Sequence, residues 1–180
     1  MARSGAPIRV NRAPVLTLWA AVVAERLGHP SDTALSLASH VAGTAARAKA
    51  RRLGIAEERD QDKDRAPPRP RETVRLLGRD VPLTRDADGV VLADAGDGKP
   101  APAEPVRAYI SKAFGTRLDE ARSVMEEVAA SLPPEELNRI GFRLYEHFRP
   151  EVPADVRGWG AKGMLDLGKV RDAGRIGPGA

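Results

Sequence analysis

A chain of 180 residues, 42% hydrophobic but with few aromatic side chains, is long enough for one ordinary domain with a small aliphatic core and too short for two full ones. It carries a formal charge of +4 and a pI near 9.7, with arginine far outnumbering lysine. That bias serves planar anions such as phosphate, and codon usage in a GC-rich, bacterial-like genome also produces it. The absence of cysteine excludes disulfides, thiolate metal sites, iron–sulfur clusters and cysteine nucleophiles.

The longest apolar run, residues 13–24 (APVLTLWAAVVA), falls short of the roughly 20 residues a membrane-spanning helix needs, so no membrane partner is expected and the protein reads as cytoplasmic. Arg3, Arg9 and Arg12 before it and Val22-Val23-Ala24 at its end also resemble a signal peptide, but the spacing favours a mature helix. Pro14 suits a first helical position and Gly28 the residue past the end, with Val15, Leu18, Trp19 and Val22 on one face, which predicts a helix over 14–27 with Trp19 inside. After His29-Pro30, Ser31 or Asp32 can cap a second helix that runs to Gly54. Its face of Ala34, Leu37, Ala38, Val41, Ala42 and Ala45 is narrow and small, so residues 1–55 read as an αα-hairpin. Residues 56–72, mostly EERDQDKDRAPPRPRE, have no apolar period and form a charged, Pro-rich linker.

Residues 73–175 form the remaining unit, able to pack with the hairpin as one domain. Short β-branched or aliphatic runs at 73–77, 81–84 and 90–93, separated by Gly78-Arg79-Asp80 and by Asp86-Ala87-Asp88-Gly89, predict a small antiparallel meander. Pro82 assigns its strand to an edge or a bulge. Val106, Tyr109, Ile110, Ala113 and Phe114 mark a short helix ended by Gly115. Thr116 and Asp119 make an imperfect capping box for the next, which turns Leu118, Ala121, Val124, Met125 and Val128 inward. Pro133-Pro134-Glu135-Glu136 opens a third with Leu137, Ile140, Gly141, Leu144 and Phe148 on its apolar face, ended before Pro150. Residues 156–163 (VRGWGAKG) read as a loop and 164–170 as a last helical turn or two. The fold class is therefore α+β, mainly α-helical: an N-terminal helical hairpin, a small antiparallel β meander and C-terminal helices.

The sharpest charge cluster is AARAKARRLG at 45–54. Arg47 and Arg51 lie four apart, Lys49 and Arg52 three apart, with no carboxylate among them. Such cations can follow a nucleic-acid backbone and release its counterions, or simply complement a helix C-terminus. A helix-turn-helix with Gly43-Thr44 as its turn would present alanines to base edges, which read nothing there. In VRGWGAKG, Trp159 between Arg157 and Lys162 can stack on an exposed base while the cations hold its phosphates, or anchor the loop to the core. The motif matches neither the phosphate loop nor the dinucleotide fingerprint. His29, His40 and His147 have no metal-ligand spacing, the Asp-Gly loops lack the ligand alternation of a calcium site, and no serine sits in a nucleophile elbow.

The residues thus propose no catalytic group, metal or cofactor. They point to a non-enzymatic DNA- or RNA-binding protein using Arg47, Lys49, Arg51 and Arg52 on phosphates, with Arg157, Trp159 and Lys162 as a second patch. The alternatives are a protein-interaction or self-association module docking through the hairpin's small face, and an enzyme with a site between meander and helices.

Overall fold

The computed structural model describes residues 7–52, 72–95, 98–150 and 162–175; the linker over 56–71 and the stretch 156–161 of VRGWGAKG lie outside them. The fold is mainly α-helical α+β. Strand β1 (Ile8–Asn11) leads directly into helix α1 (Arg12–Arg26). The sequence predicts one inward face for α1, but every residue from 14 to 24 is buried. The reason is the filling of its other sides by Ala20, Ala21, Val23 and Ala24, and a helix apolar all round is covered all round. Around it pack α2 (Ser31–Arg52), α3 (Ala103–Phe114), α4 (Leu118–Ala130) and α5 (Pro134–Phe148). Gly28, at φ +106, lets the chain leave α1, and the His29 N–H donates back to the Ala24 carbonyl at 3.1 Å. Arg26 reaches across to the far end of α4, its Nε donating to the Ala129 carbonyl at 3.1 Å and its Nη2 to the Leu132 carbonyl at 2.9 Å, so a cation satisfies a helix C-terminus.

Strands β2 (Thr73–Leu76), β3 (Arg79–Arg85) and β4 (Val91–Ala93) form the expected meander, in the order β2-β3-β4. The first turn is tighter than Gly78-Arg79-Asp80 suggests. Leu76 pairs with Arg79, which leaves Leu77 and Gly78 as a two-residue turn with φ of 53 and 82. Positive φ at both positions gives the twist a hairpin needs. Glycine adopts it freely, whereas leucine there is strained by about 1–2 kcal/mol. Asn138 on α5 holds that turn: its Oδ1 accepts from the Leu77 N–H and its Nδ2 donates to the Arg75 carbonyl, both at 2.8 Å.

The sequence places Pro82 at an edge or a bulge, but β3 is the central strand and its registers with β2 and β4 run one to one. Pro82 is tolerated because the ladder to β4 stops at the Leu83–Ala93 pair. Its ring nitrogen falls where β4 has ended, and its carbonyl still accepts the Asp94 N–H at 2.8 Å. Residues beyond β4 fold back through an Asp94–Pro100 bridge.

A 3-10 turn (Gly115–Arg117) joins α3 to α4. The Thr116–Asp119 capping box does not form: Arg117 precedes α4 without a side-chain cap and its Nε instead donates to Glu120 Oε1 at 2.7 Å. Helix α5 follows its sequence reading closely, with Pro134 in its first turn and Leu137, Ile140, Gly141, Leu144 and Phe148 buried. Residues read as a final helical turn begin instead as strand β5 (Lys162–Leu165), paired antiparallel with β1 from Ile8–Leu165 to Asn11–Lys162, and helix α6 (Leu167–Arg175) follows and packs on α4 and α5.

Three elements meet at Gly141. The Trp19 indole N–H donates to its carbonyl at 2.9 Å, Trp19 meets Phe148 edge-on at 5.4 Å between ring centres, and Leu77 covers the glycine itself. A methyl group at position 141 would stand 2.4 Å from Leu77 Cδ2. Gly141→Ala is therefore expected to destabilise by about 1–2 kcal/mol, overpacking outweighing the gain in helix propensity. In thermal unfolding Leu77→Ala/Gly141→Ala should lose less than the two single variants together, because shortening Leu77 removes the clash.

Tyr145 lies beside this cluster, edge-on to Phe148 at 5.9 Å, its hydroxyl donating to the Arg12 carbonyl at 3.3 Å. Burial pushes its ionisation up to about 12, against the opposing pull of Arg12 and Arg149. A phenol harder to ionise folded than unfolded stabilises the fold fully below its unfolded value near 10, and that stability is lost as pH rises through about 12. Ultraviolet titration of the phenolates should show a late step near pH 12 coupled to alkaline unfolding, and Tyr145→Phe should remove that step.

Candidate nucleic-acid interface

The helix that carries the cationic cluster is fixed at its other end. Thr33 Oγ1 donates to the Val91 carbonyl of β4 at 2.7 Å. The fully buried Ser36 donates to the Ala101 carbonyl at 2.7 Å and accepts the Ala93 N–H at 2.8 Å. The small face of α2, including Ala34, Leu37, Ala38 and Val41, is buried, and α2 packs against α1. This half of α2 is thus clamped between α1 and β4. The helix is 22 residues long against 15 for α1, and its last turns carry Arg47, Lys49, Arg51 and Arg52. It runs unbroken through Gly43-Thr44, so the helix-turn-helix reading fails: nothing there interrupts the backbone ladder.

Charge is unevenly distributed along the chain. Residues 1–52 hold eight Lys or Arg and two Asp or Glu, whereas residues 53–180 hold 21 and 23. Both carboxylates of the first part face arginines from elsewhere, Glu25 to Arg122 at 2.5 Å and Asp32 to Arg107 at 2.8 Å. Within α2 the only acidic residue is Asp32, in its first turn.

Of the second patch, Arg157 and Trp159 lie outside the described residues. Lys162 opens β5 opposite Asn11, the residue that precedes α1. Ala13, in the first turn of α1, lines one groove with Ala42 and Gly43 of α2. The start of β5 and the cationic end of α2 therefore belong to the same end of the helical hairpin. The groove has a volume of about 380 Å³ and is closed on its other side by Val106 and Tyr109 of α3. Of the residues whose spacing marks α3, Tyr109 is 46% exposed while Val106, Ile110 and Phe114 are buried. Its phenol is pushed up from the ordinary value by partial burial.

A second cleft, of about 350 Å³, lies at the opposite end of α2 and is lined by Asp32, Asp86 and Glu104 among apolar residues. Arg107 bridges Asp32 and Glu104. Asp86 performs turn chemistry, its Oδ1 accepting from the N–H groups of Asp88 and Val90, each at 2.9 Å. Asp94 does the same for Gly98 at 3.1 Å. Among the described residues no group of three or more His, Asp or Glu side chains is arranged to hold a metal ion. His29 is held below its ordinary value by burial alone. No helix of the described residues is long and apolar enough to cross a membrane.

No family model, curated protein or solved structure matches the chain. The groove beside Tyr109 escapes sequence reasoning because it is built from three helices far apart in sequence. The clamp at Ser36 escapes it because a serine inside a helix looks the same whether it meets solvent or a strand. Ser36→Ala orphans a buried N–H and a buried carbonyl, at about 1–3 kcal/mol each, whereas Thr33→Ala orphans one carbonyl. The first variant should therefore unfold at lower denaturant than the second, and hydrogen exchange should show the Ala93 amide losing protection.

Proposed function

We propose that the protein binds nucleic acid through its phosphate backbone, without catalysis, with the C-terminal turns of α2 as the principal contact. The observation that carries this reading is the charge distribution of α2: one carboxylate at its beginning, already facing Arg107, and four cations in its last turns. The sequence spaces these cations along consecutive turns of a helix whose first half is buried, a repeat that suits repeated phosphate contacts. Several exposed arginines elsewhere sit beside carboxylates, as Arg75 does with Asp80 at 3.0 Å and Arg139 with Glu136, and these offer a polyanion much less. Lys162, at the same end of the hairpin, extends the patch, and Arg157 and Trp159 belong to it by sequence.

The self-association alternative relied on the small face of α2, which is already buried in the core from Ala34 through Val41.

Fluorescence anisotropy of labelled duplex and single-stranded oligonucleotides, at low and near-physiological salt, tests it. Micromolar or tighter affinity that falls linearly with the logarithm of salt is the expected result. Arg47→Ala/Arg51→Ala should lower the affinity and reduce the salt slope by roughly two. An unchanged slope in that variant would remove α2 as the contact, and no binding at low salt would overturn the reading.

A further inference from the structure

We infer that the groove beside Tyr109 receives an unpaired nucleobase, so that the nucleic acid recognised is single-stranded or locally opened. This rests on the backbone-binding reading above and adds to it a site for the base. Among the described residues Tyr109 and Met164 are the exposed large apolar side chains, and of the two only Tyr109 offers a flat π-face. Its ring stands at a slot whose opposite wall is Ala13, Ala42 and Gly43, residues with almost no side chain to obstruct a planar ring. A volume of about 380 Å³ lies within the range of small-ligand sites.

Polar groups in the slot fit a base edge as well as its face. Thr17 Oγ1 donates to the Ala13 carbonyl at 2.8 Å and Ser39 Oγ donates to the Ser36 carbonyl at 2.9 Å. With their protons so directed, both hydroxyls offer lone pairs, which accept the N–H groups of a base edge. No carboxylate lines the slot.

Electrostatics decide which polymer can bring its base there. Gly43 on the slot wall is followed one turn later, on the same side of α2, by Arg47, about 6 Å along the axis. A base in the slot thus places its flanking phosphates toward the cationic turns. The cleft at the other end of α2, from Asp32 to Gly43 about 16 Å away along the axis, is lined by three carboxylates and repels a polyanion. In a duplex each base face is already stacked, so the slot contributes nothing to duplex binding.

The test compares wild type, Tyr109→Ala, Tyr109→Phe, Trp159→Ala and Arg47→Ala/Arg51→Ala, each confirmed folded by circular dichroism. The probes are a mixed-sequence single-stranded oligonucleotide and its duplex. Tyr109→Ala should weaken single-strand binding about 5- to 150-fold with the salt slope unchanged, leave duplex binding as it was, and be rescued by Tyr109→Phe. The arginine variant should weaken both. Unchanged single-strand affinity in Tyr109→Ala, an equal loss on duplex, or a single-strand preference that disappears in Trp159→Ala instead would each overturn the groove while leaving the backbone reading intact. Failure of the wild type to bind either probe would overturn both.

Discussion

The hydrogen bond from the Trp19 indole to the Gly141 carbonyl is where the fold is decided. Because position 141 has no side chain, Leu77 from the β2–β3 turn can close on the same point of α5 that the ring of α1 meets. Each participant is committed by the others. Leu77 accepts an unfavourable backbone conformation because its side chain is buried and because Asn138 holds the turn from both sides. Trp19 in turn is fixed by Phe148, one further turn or two along the same helix as Gly141. Without that carbonyl the fully buried indole N–H would be left unpaired at about 1–3 kcal/mol, so the contact sets both position and stability.

From this point the arrangement extends outward in one chain of contacts. α1 is positioned by Trp19, α2 packs on α1, and β4 is tied to α2 through Thr33 and Ser36. The consequence for the candidate interface is mechanical. The end of α2 that bears Arg47 to Arg52 is held by a core some turns away, and so is the groove whose walls come from α1, α2 and α3. Placing carboxylates at one end of this helix and cations at the other gives the molecule a directional field, more informative than its net charge.

The helices were legible in the sequence because the apolar spacing and the Pro and Gly punctuation agree. Pro134 and the Leu137, Ile140, Leu144, Phe148 series fix α5, and Gly28 marks the end of α1, whose start at Arg12 lies two residues before the Pro14 expected to open it. The meander was legible from Asp-Gly turn chemistry. What stayed hidden depends on partners distant in the chain. The four residues of β1 carry no decisive period, and β5 contains a glycine; only their pairing, Ile8 with Leu165, makes either a strand. Pro82 misled because the rule about edges concerns a missing N–H, and here the neighbouring strand ends before that N–H is needed. The exposure of Tyr109 was not legible because helical spacing names a stripe, whereas burial depends on what packs against it. The cationic cluster was visible at once, but its relation to a groove was not.

The burial of α1 from all sides has a consequence for synthesis. Residues 14–24 are made well before two of the helices that cover them, α4 and α5, which come after residue 117. At ribosomal speeds of about 5–20 residues per second, that interval is on the order of ten seconds. During it a continuous apolar segment has only α2, α3 and the meander to shelter against, and the β1–β5 pair cannot close at all. The fold's most deeply covered helix is thus, for a time during synthesis, one of its least covered segments.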